Sequence, residues 1–308
     1  MQNGGRNPTI NGVNDMNMKF TFAAAAVSMV VLAGSAGVSA TQTNGPVPDQ
    51  NRPRPEAITT KTLAAVRIEN IGGRKVELLQ IESTAPKAVV VFENGLRGTL
   101  DGWEKVVDAI VPDMTVFAYN RAGNGKSEGT PNPRDGQHII EELRATLQHQ
   151  GLKPPYVLVG HSLGGLYMQL YARAYPQEVK GVVLVDSVFP GVIKKKEDFP
   201  LYTKMARQVF FSNTVNREID GIHDTGNAIL ALPWQRNISM VRLINVPKSA
   251  GAIGIDFGVI NSGPNLVATV NGLYPNAKTV IVDSDHQIQS ATPEVVVQAI
   301  RTVMRDGS

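Results

Sequence analysis

Residues 156–165 read Tyr-Val-Leu-Val-Gly-His-Ser-Leu-Gly-Gly, and this stretch decides the fold. Its first four residues favour a buried strand, the next five match Gly-x-Ser-x-Gly, and residues 166–175 are compatible with a helix. The chain must therefore end a strand, turn sharply and begin a helix, which presents the hydroxyl of Ser162 on an exposed elbow. Backbone N–H groups at the start of that helix favour negative charge developing beside the serine.

Strand and helix patterns alternate on both sides of this stretch. Predicted strands cover residues 63–69, 75–81, 88–92, 115–119, 156–159, 182–185 and 279–282, and predicted helices cover 103–110, 136–149, 163–174 and 293–304. Continuous apolar runs are typical of parallel strands buried on both faces, whereas the short Gly72-Gly73 link favours an antiparallel first pair. We therefore predict an α/β fold with a mostly parallel sheet and helices on both faces.

The alternation fails between residues 189 and 245. This range mixes the charged residues 194–198 with the aromatic residues Phe199, Tyr202, Phe210, Phe211 and Trp234. We predict a helical cap over the C-terminal edge of the sheet, inserted between two parts of the core at residues 61–188 and 246–308. A surface excursion without a role in the site is the alternative.

The N-terminal residues predict export. Lys19 precedes an apolar run at residues 20–32, and small residues follow up to Ala40, which is the pattern of a cleavable secretory signal peptide. The run is too short to span a bilayer comfortably, so no stable membrane anchor is expected. We assign residues 1–40 to the signal, with a possible upstream extension before Met18, and residues 41–60 to a disordered leader. The protein is expected to be secreted or periplasmic.

Composition excludes several kinds of function. The 308 residues include no cysteine, which rules out disulfides, thiolate catalysis and cysteine-ligated zinc. The formal net charge is only +3, and no basic stripe alternates with aromatic residues, which argues against a nucleic-acid partner.

A serine nucleophile needs a base, and the chain has only five histidines. His161 lies within the elbow, where adjacent side chains point away from each other. His138 and His149 belong to the helix before the elbow strand, and His223 belongs to the cap. His286 alone follows a buried strand, so its loop should reach the same sheet edge as the serine, where the functional groups of open α/β sheets gather.

The base in turn needs a carboxylate that orients it. Asp256 precedes His286 by the length of one helix and suits the loop after the penultimate strand, although residues 248–255 make a weak strand. Asp186 ends the strong apolar run at 182–185 and is the competing candidate.

The oxyanion of the reaction needs two N–H donors. We expect one from Leu163, directly after the serine, and the other from the backbone of Leu96, in the glycine-containing loop at residues 93–98. Arg121, in the loop after the fourth strand, is expected to anchor loops by hydrogen bonds and to take no part in catalysis.

These blocks, in this order, resemble the α/β-hydrolase superfamily over about residues 60–308. Asn120-Arg121-Ala122-Gly123-Asn124-Gly125-Lys126-Ser127 is similar to the superfamily's Asp-Arg-x-Gly-x-Gly-x-Ser block, with Asn in place of Asp. The loop after the third strand has Glu-x-Gly where many relatives have His-Gly. Ser162 matches the family nucleophile and His286 the family histidine.

The resemblance implies an eight-stranded sheet and hydrolysis of carboxylic esters through an acyl-enzyme on Ser162, with His286 as base and Asp256 or Asp186 as acid. It implies a small-molecule ester substrate with an apolar portion, and no metal or organic cofactor. An acyltransferase, peptidase or perhydrolase on the same scaffold is the alternative within the family. A non-catalytic ligand-binding protein is the alternative outside enzymes.

Overall fold

The computed structural model describes residues 61–84, 86–191, 195–199, 201–245 and 264–306. The predicted signal and leader at residues 1–60, the predicted weak strand at 248–255 and the candidate acid Asp256 lie outside the described residues. Across the ranges that are described, no helix combines the length and the apolar character that crossing a membrane requires.

An eight-stranded sheet forms the centre of the fold. The strands are β1 (Val66–Ile71), β2 (Arg74–Ile81), β3 (Val89–Glu93), β4 (Thr115–Tyr119), β5 (Tyr156–His161), β6 (Val179–Val185), β7 (Ser239–Asn245) and β8 (Lys278–Val282). Their order is β1-β2-β4-β3-β5-β6-β7-β8, with β1–β2 and β2–β4 antiparallel and the other pairs parallel. The predicted mostly parallel sheet with an antiparallel start is confirmed.

Helices cover both faces of this sheet. The α-helices are α1 (Lys61–Ala64), α2 (Glu104–Ile110), α3 (Gly136–His149), α4 (Leu163–Ala174), α5 (Leu201–Phe210), α6 (Asn213–Ala231), α7 (Pro264–Leu273), α8 (Ile288–Ala291) and α9 (Pro293–Asp306). Helices α3, α4 and α6 contribute to the core on one face, and α2 and α9 to the core on the other.

Successive side chains of the strands point alternately into the two hydrophobic cores, one on each face of the sheet. In β3, Val91 points into the core with α3 and α4, whereas Val90 points into the core with α2 and α9. Leu158 and Val157 divide in the same way in β5, and all four side chains are fully buried. Strands covered on both faces need apolar residues at every position, which explains the continuous runs in the sequence.

Two predicted boundaries are wrong. The first strand begins at Val66 rather than residue 63, because Lys61–Ala64 form a short helix. The range predicted as cap, 189–245, ends in strand β7, which pairs with β6 and β8. Arg242 interrupts the apolar run of β7 in the sequence, and its buried guanidinium donates to Asn271 Oδ1 at 2.7 Å. The penultimate strand is therefore Ser239–Asn245.

The insertion between β6 and β7 contains helices α5 and α6. Helix α6 packs against α3 and α4. The junction between α5 and α6 also reaches the loops at the C-terminal edge of the sheet. The Arg97 guanidinium lies 5.5 Å from the ring centre of Phe211, and a Cβ at Gly123 would lie 3.0 Å from Thr214 Cβ.

Candidate active site

Ser162 occupies a sharp turn between β5 and α4. Its φ of 51° and ψ of −120° depart from both strand and helix geometry. Its N–H donates to Val185 O at 3.0 Å, and its own carbonyl accepts from Val188 N at 3.0 Å, which ties the turn to the end of β6. The predicted elbow is present, but only 6% of Ser162 is accessible. The serine is therefore buried, whereas the sequence predicts an exposed hydroxyl.

Two glycines let the loop after β3 press against this turn. A Cβ at Gly164 would lie 2.4 Å from the carbonyl oxygen of Glu93, closer than real Cβ atoms approach. A Cβ at Gly95 would lie 3.2 Å from Ser162 Cβ and 3.0 Å from His161 Nδ1. The backbone around Leu96 therefore sits directly beside Ser162, and Leu163, the other predicted donor, begins α4.

Asp186 and His286 meet at the same sheet edge. The fully buried Asp186 follows β6, and its Oδ2 lies 2.8 Å from His286 Nδ1, while its Oδ1 accepts from Asn245 N at 3.2 Å. With an ionised carboxylate as acceptor, the proton of the neutral ring is on Nδ1, and Nε2 is its acceptor nitrogen. The structure thus pairs the predicted base with one of the two candidate acids, Asp186.

His161 supports the loop that carries His286, a contact that sequence reasoning missed. Its Nε2 donates to the backbone oxygen of His286 at 2.8 Å, and the two ring centres are 4.6 Å apart. Burial, and secondarily the nearby His286, lower the pKa of His161 to about 3, and the hydrogen bond to the His286 carbonyl only partly opposes this. His161 is therefore a neutral donor at physiological pH.

Asn94 and Trp103 hold the loop after β3. Asn94 Nδ2 donates to Tyr119 O at 2.8 Å, and the Trp103 indole N–H donates to Asn94 Oδ1 at 2.7 Å. All three residues are buried. The loop that carries the predicted oxyanion donor is thus fixed to the ends of β3 and β4.

Asn120 fits its surroundings better than the Asp of the family pattern would. Its Nδ2 donates to Glu77 Oε2 at 2.7 Å, while its Oδ1 accepts from Leu100 N at 2.8 Å. A carboxylate at this position would face the Glu77 carboxylate without a proton between them. The carboxylate of Glu77 therefore accounts for Asn at position 120, because it accepts the hydrogen bond that an ionised Asp could not donate.

Comparison with known proteins agrees with this architecture. A family model described as alpha/beta hydrolase fold matches residues 88–230. Over this range the chain is similar to α/β hydrolases, and its sheet and helices have the α/β-hydrolase fold. Cfl2 from Burkholderia cenocepacia has the same fold, with a TM-score of 0.58 and 14% identity over 78% of this chain and 95% of that one.

Two curated relatives are informative. The chain is 25% identical over 215 residues to YqjL, an uncharacterized protein of Bacillus subtilis (strain 168), covering 70% of this chain and 82% of YqjL. It is 31% identical over 101 residues to a (lyso)-N-acylphosphatidylethanolamine lipase of Mus musculus, covering 32% of this chain and 29% of the lipase. Several further relatives are matched over well under half of their own length.

Proposed function

We propose that this hydrolase-fold protein cleaves carboxylic esters, with Ser162 as nucleophile, His286 as general base and Asp186 as the acid that orients it. The observation that carries the proposal is the 2.8 Å contact between His286 Nδ1 and Asp186 Oδ2. It lies beside the left-handed turn of Ser162, whose N–H bonds to the residue before Asp186. Serine, imidazole and carboxylate in this arrangement define acyl-transfer chemistry on unrelated folds.

The reaction proceeds in two halves. Ser162 Oγ attacks the ester carbonyl carbon, its proton passes to His286 Nε2, and the N–H groups of Leu96 and Leu163 hold the oxyanion. The carbon–oxygen bond to the alcohol breaks as His286 returns the proton to the leaving oxygen. Water then attacks the acyl-enzyme with the same proton transfers and releases the acid and the free serine.

The cap supports a substrate with an apolar portion. Phe211 lies at the N-terminal side of α6, beside Arg97 of the loop that carries the proposed oxyanion donor. An acyl chain bound at Ser162 would extend toward this aromatic surface. We therefore expect kcat/KM for p-nitrophenyl esters to rise from acetate to butyrate.

The proposal is tested by the hydrolysis of p-nitrophenyl butyrate by four variants. We expect Ser162→Ala and His286→Ala to lose activity by at least about 1,000-fold, and Asp186→Asn by a similar factor, because the wrong tautomer of His286 is then favoured. Asp256→Asn is the matched control for the carboxylate and should retain wild-type activity. Full activity in Ser162→Ala would overturn the mechanism, and loss confined to Asp256→Asn would reassign the acid.

The same assay distinguishes a transferase. With an added alcohol acceptor, a hydrolase forms mainly the free acid, whereas an acyltransferase forms mainly the new ester.

We also propose that the protein is exported, because the charged, apolar and small-residue segments of residues 19–40 follow the order of a signal peptide.

A further inference from the structure

The guanidinium of Arg121 is fully buried between two carboxylates that belong to different parts of the fold. Its Nη1 donates to Oε1 of Glu93, at the end of β3, at 2.6 Å. Its Nε and Nη2 donate to the two oxygens of Glu218, on cap helix α6, at 3.1 and 3.0 Å. No more than 1% of any of these three side chains is exposed.

The same guanidinium also binds the backbone beside Ser162. Nη1 donates to the carbonyl of Asn94, and Nη2 donates to that of Gly95 at 2.9 Å. All five N–H groups of the arginine thus have an acceptor. Lysine could not replace it, because an ammonium group has three donors and no planar fork.

The bond to Gly95 sets the direction of the predicted oxyanion donor. The peptide between Gly95 and Leu96 is trans, so the N–H of Leu96 points opposite to the carbonyl of Gly95. Because Arg121 holds that carbonyl, it also fixes the N–H on the other side of the peptide. A Cβ at Gly95 would touch Ser162, so this peptide borders the serine.

We propose that Arg121 is a positioning residue for the oxyanion site, and that Glu218 couples the cap to it. The inference rests on the proposed function, since it gives the Leu96 N–H its role. Donors that are fixed before the reaction stabilise the transition state without reorganisation. If either carboxylate is lost, some of the buried N–H groups of the arginine lose their acceptor, and the guanidinium is held less firmly against the Gly95 carbonyl.

The first test replaces Arg121 by Lys and by Ala. We expect kcat for p-nitrophenyl butyrate to fall about 10- to 100-fold with little change in KM, since the donor acts mainly in the transition state. Methylguanidine added to Arg121→Ala should restore part of the lost kcat by filling the vacated space. Arg144→Lys is the matched control, because it alters a two-bond Arg–Glu contact with Glu178, the residue before β6.

The second test separates the coupling from folding. Glu218→Gln keeps the size of the side chain and should lower kcat by a smaller factor than Arg121→Lys, with KM unchanged. Asp220→Asn, two residues further along α6, breaks the 2.7 Å pair with Arg207 inside the cap and should leave kcat unchanged. Thermal unfolding of each variant verifies that the protein compared is folded.

The outcomes distinguish this inference from the proposed function. Wild-type kcat in both folded Arg121→Lys and folded Glu218→Gln, in an enzyme that Ser162→Ala inactivates, would overturn the inference and leave the function standing. A rise in KM alone, or no response of Arg121→Ala to methylguanidine, would also overturn it. A wild-type protein without serine-dependent hydrolysis would overturn the function itself, and the role given to Leu96 with it.

Discussion

Among the residues that the structure describes, three other than glycine have left-handed backbone conformations, and all three follow strands that end at the candidate site. Arg97, Ser162 and Asp186 have φ values of 58°, 51° and 41°. Such conformations cost on the order of 1–3 kcal/mol each and persist where the surrounding structure holds them. Here the hydrogen bonds of the sheet edge do so, and the strain turns Ser162 and Asp186 out of their strand directions toward a common point.

At the same scale, Gly95 tests how closely the loop after β3 must approach the serine. Gly95→Ala would place a Cβ 3.0 Å from His161 Nδ1 and 3.2 Å from Ser162 Cβ, and its φ permits alanine. We expect kcat/KM for p-nitrophenyl butyrate to fall about 100-fold, the effect of a small displacement of reacting groups.

Gly102→Ala is the matched control for this loop. Among the described residues, Gln289 Nε2 is the one neighbour of its Cβ, at 4.0 Å, and the variant should keep wild-type activity. Equal kcat/KM values for the two variants would show that the close contact at Gly95 does not matter to catalysis.

His161 makes stability depend on pH. Its pKa is about 3 in the folded protein against 6.5 as the ordinary value, so below pH 6.5 the unfolded chain binds a proton that the folded protein does not. Stability therefore falls as the pH is lowered from about 6.5 toward 3, by up to about 1.4 kcal/mol per pH unit from this residue. His161→Gln removes that contribution.

Urea unfolding at pH 7, 6, 5 and 4 measures this effect. The difference between the free energies of unfolding of wild type and His161→Gln should shrink, or reverse, as the pH falls. His149→Gln, at the exposed end of α3, controls for the loss of an imidazole in general. A difference that stays constant over this range would contradict a buried, neutral His161.

At the scale of elements, helix α4 and strand β3 meet without room for a side chain. The first turn of α4 lies against the carbonyls at the end of β3, and this contact sets where the helix begins relative to the serine. The same helix carries Tyr167, whose ring centre lies 5.2 Å from the Arg121 guanidinium. The elbow, the loop after β3 and the loop after β4 therefore form one packed unit.

Gly164→Ala should disrupt the packing of helix α4 against the end of strand β3. The new Cβ would lie 2.4 Å from Glu93 O and 2.5 Å from Asn94 O, and both are backbone atoms that cannot rotate away. We expect a loss of about 3 kcal/mol in the free energy of unfolding, at the upper end of overpacking effects, together with loss of hydrolysis.

Gly272→Ala provides the opposite case. Gly272 lies in helix α7, and no atom of the described part of the chain lies within 4 Å of its would-be Cβ, so alanine should stabilise the protein by up to about 1 kcal/mol. Urea unfolding measures both variants. Wild-type stability in Gly164→Ala would contradict the close packing of α4 on β3.

At the scale of the whole molecule, the order of the strands brings distant residues to one place. The chain passes from β3 to β4 on one side of β3 and returns as β5 on the other side. The candidate site lies at this reversal, beyond the carboxyl ends of β3, β5 and β6, which is where open α/β sheets bind their ligands. The insertion after β6 contacts loops at the same edge through Phe211 and Thr214.

The proposed export signal gives a prediction for the whole chain. Produced in a bacterial host, the protein should be recovered from the periplasm or medium with Thr41 as its first residue, as intact mass or N-terminal sequencing would show. Ala40→Gln should block cleavage, since the last residue before the cut must be small, whereas Ser39→Gln should not. Intracellular protein that retains residues 1–40 would contradict export.

Much of the fold could be predicted because most of its strands can be recognised from short local patterns in the sequence. Runs such as 115–119 and 156–159 are continuous and rich in β-branched and aromatic residues, and their predicted positions agree with β4 and β5. Strand β7 was missed because Arg242 breaks its apolar pattern, and the tertiary structure gives its guanidinium hydrogen bonds to Thr279 and Asn271 that the sequence does not reveal.

The sequence by itself determined the strand–turn–helix that presents Ser162 and the loop that carries His286, because both follow from backbone preferences and periodic burial over a few residues. Only the tertiary structure brought Asp186 to His286 across 100 positions, and only it placed Arg121 between Glu93 and Glu218. Those contacts depend on which strands become neighbours and where the cap packs. No local pattern encodes that choice, because it is made by the burial of the whole sheet between its two layers of helices.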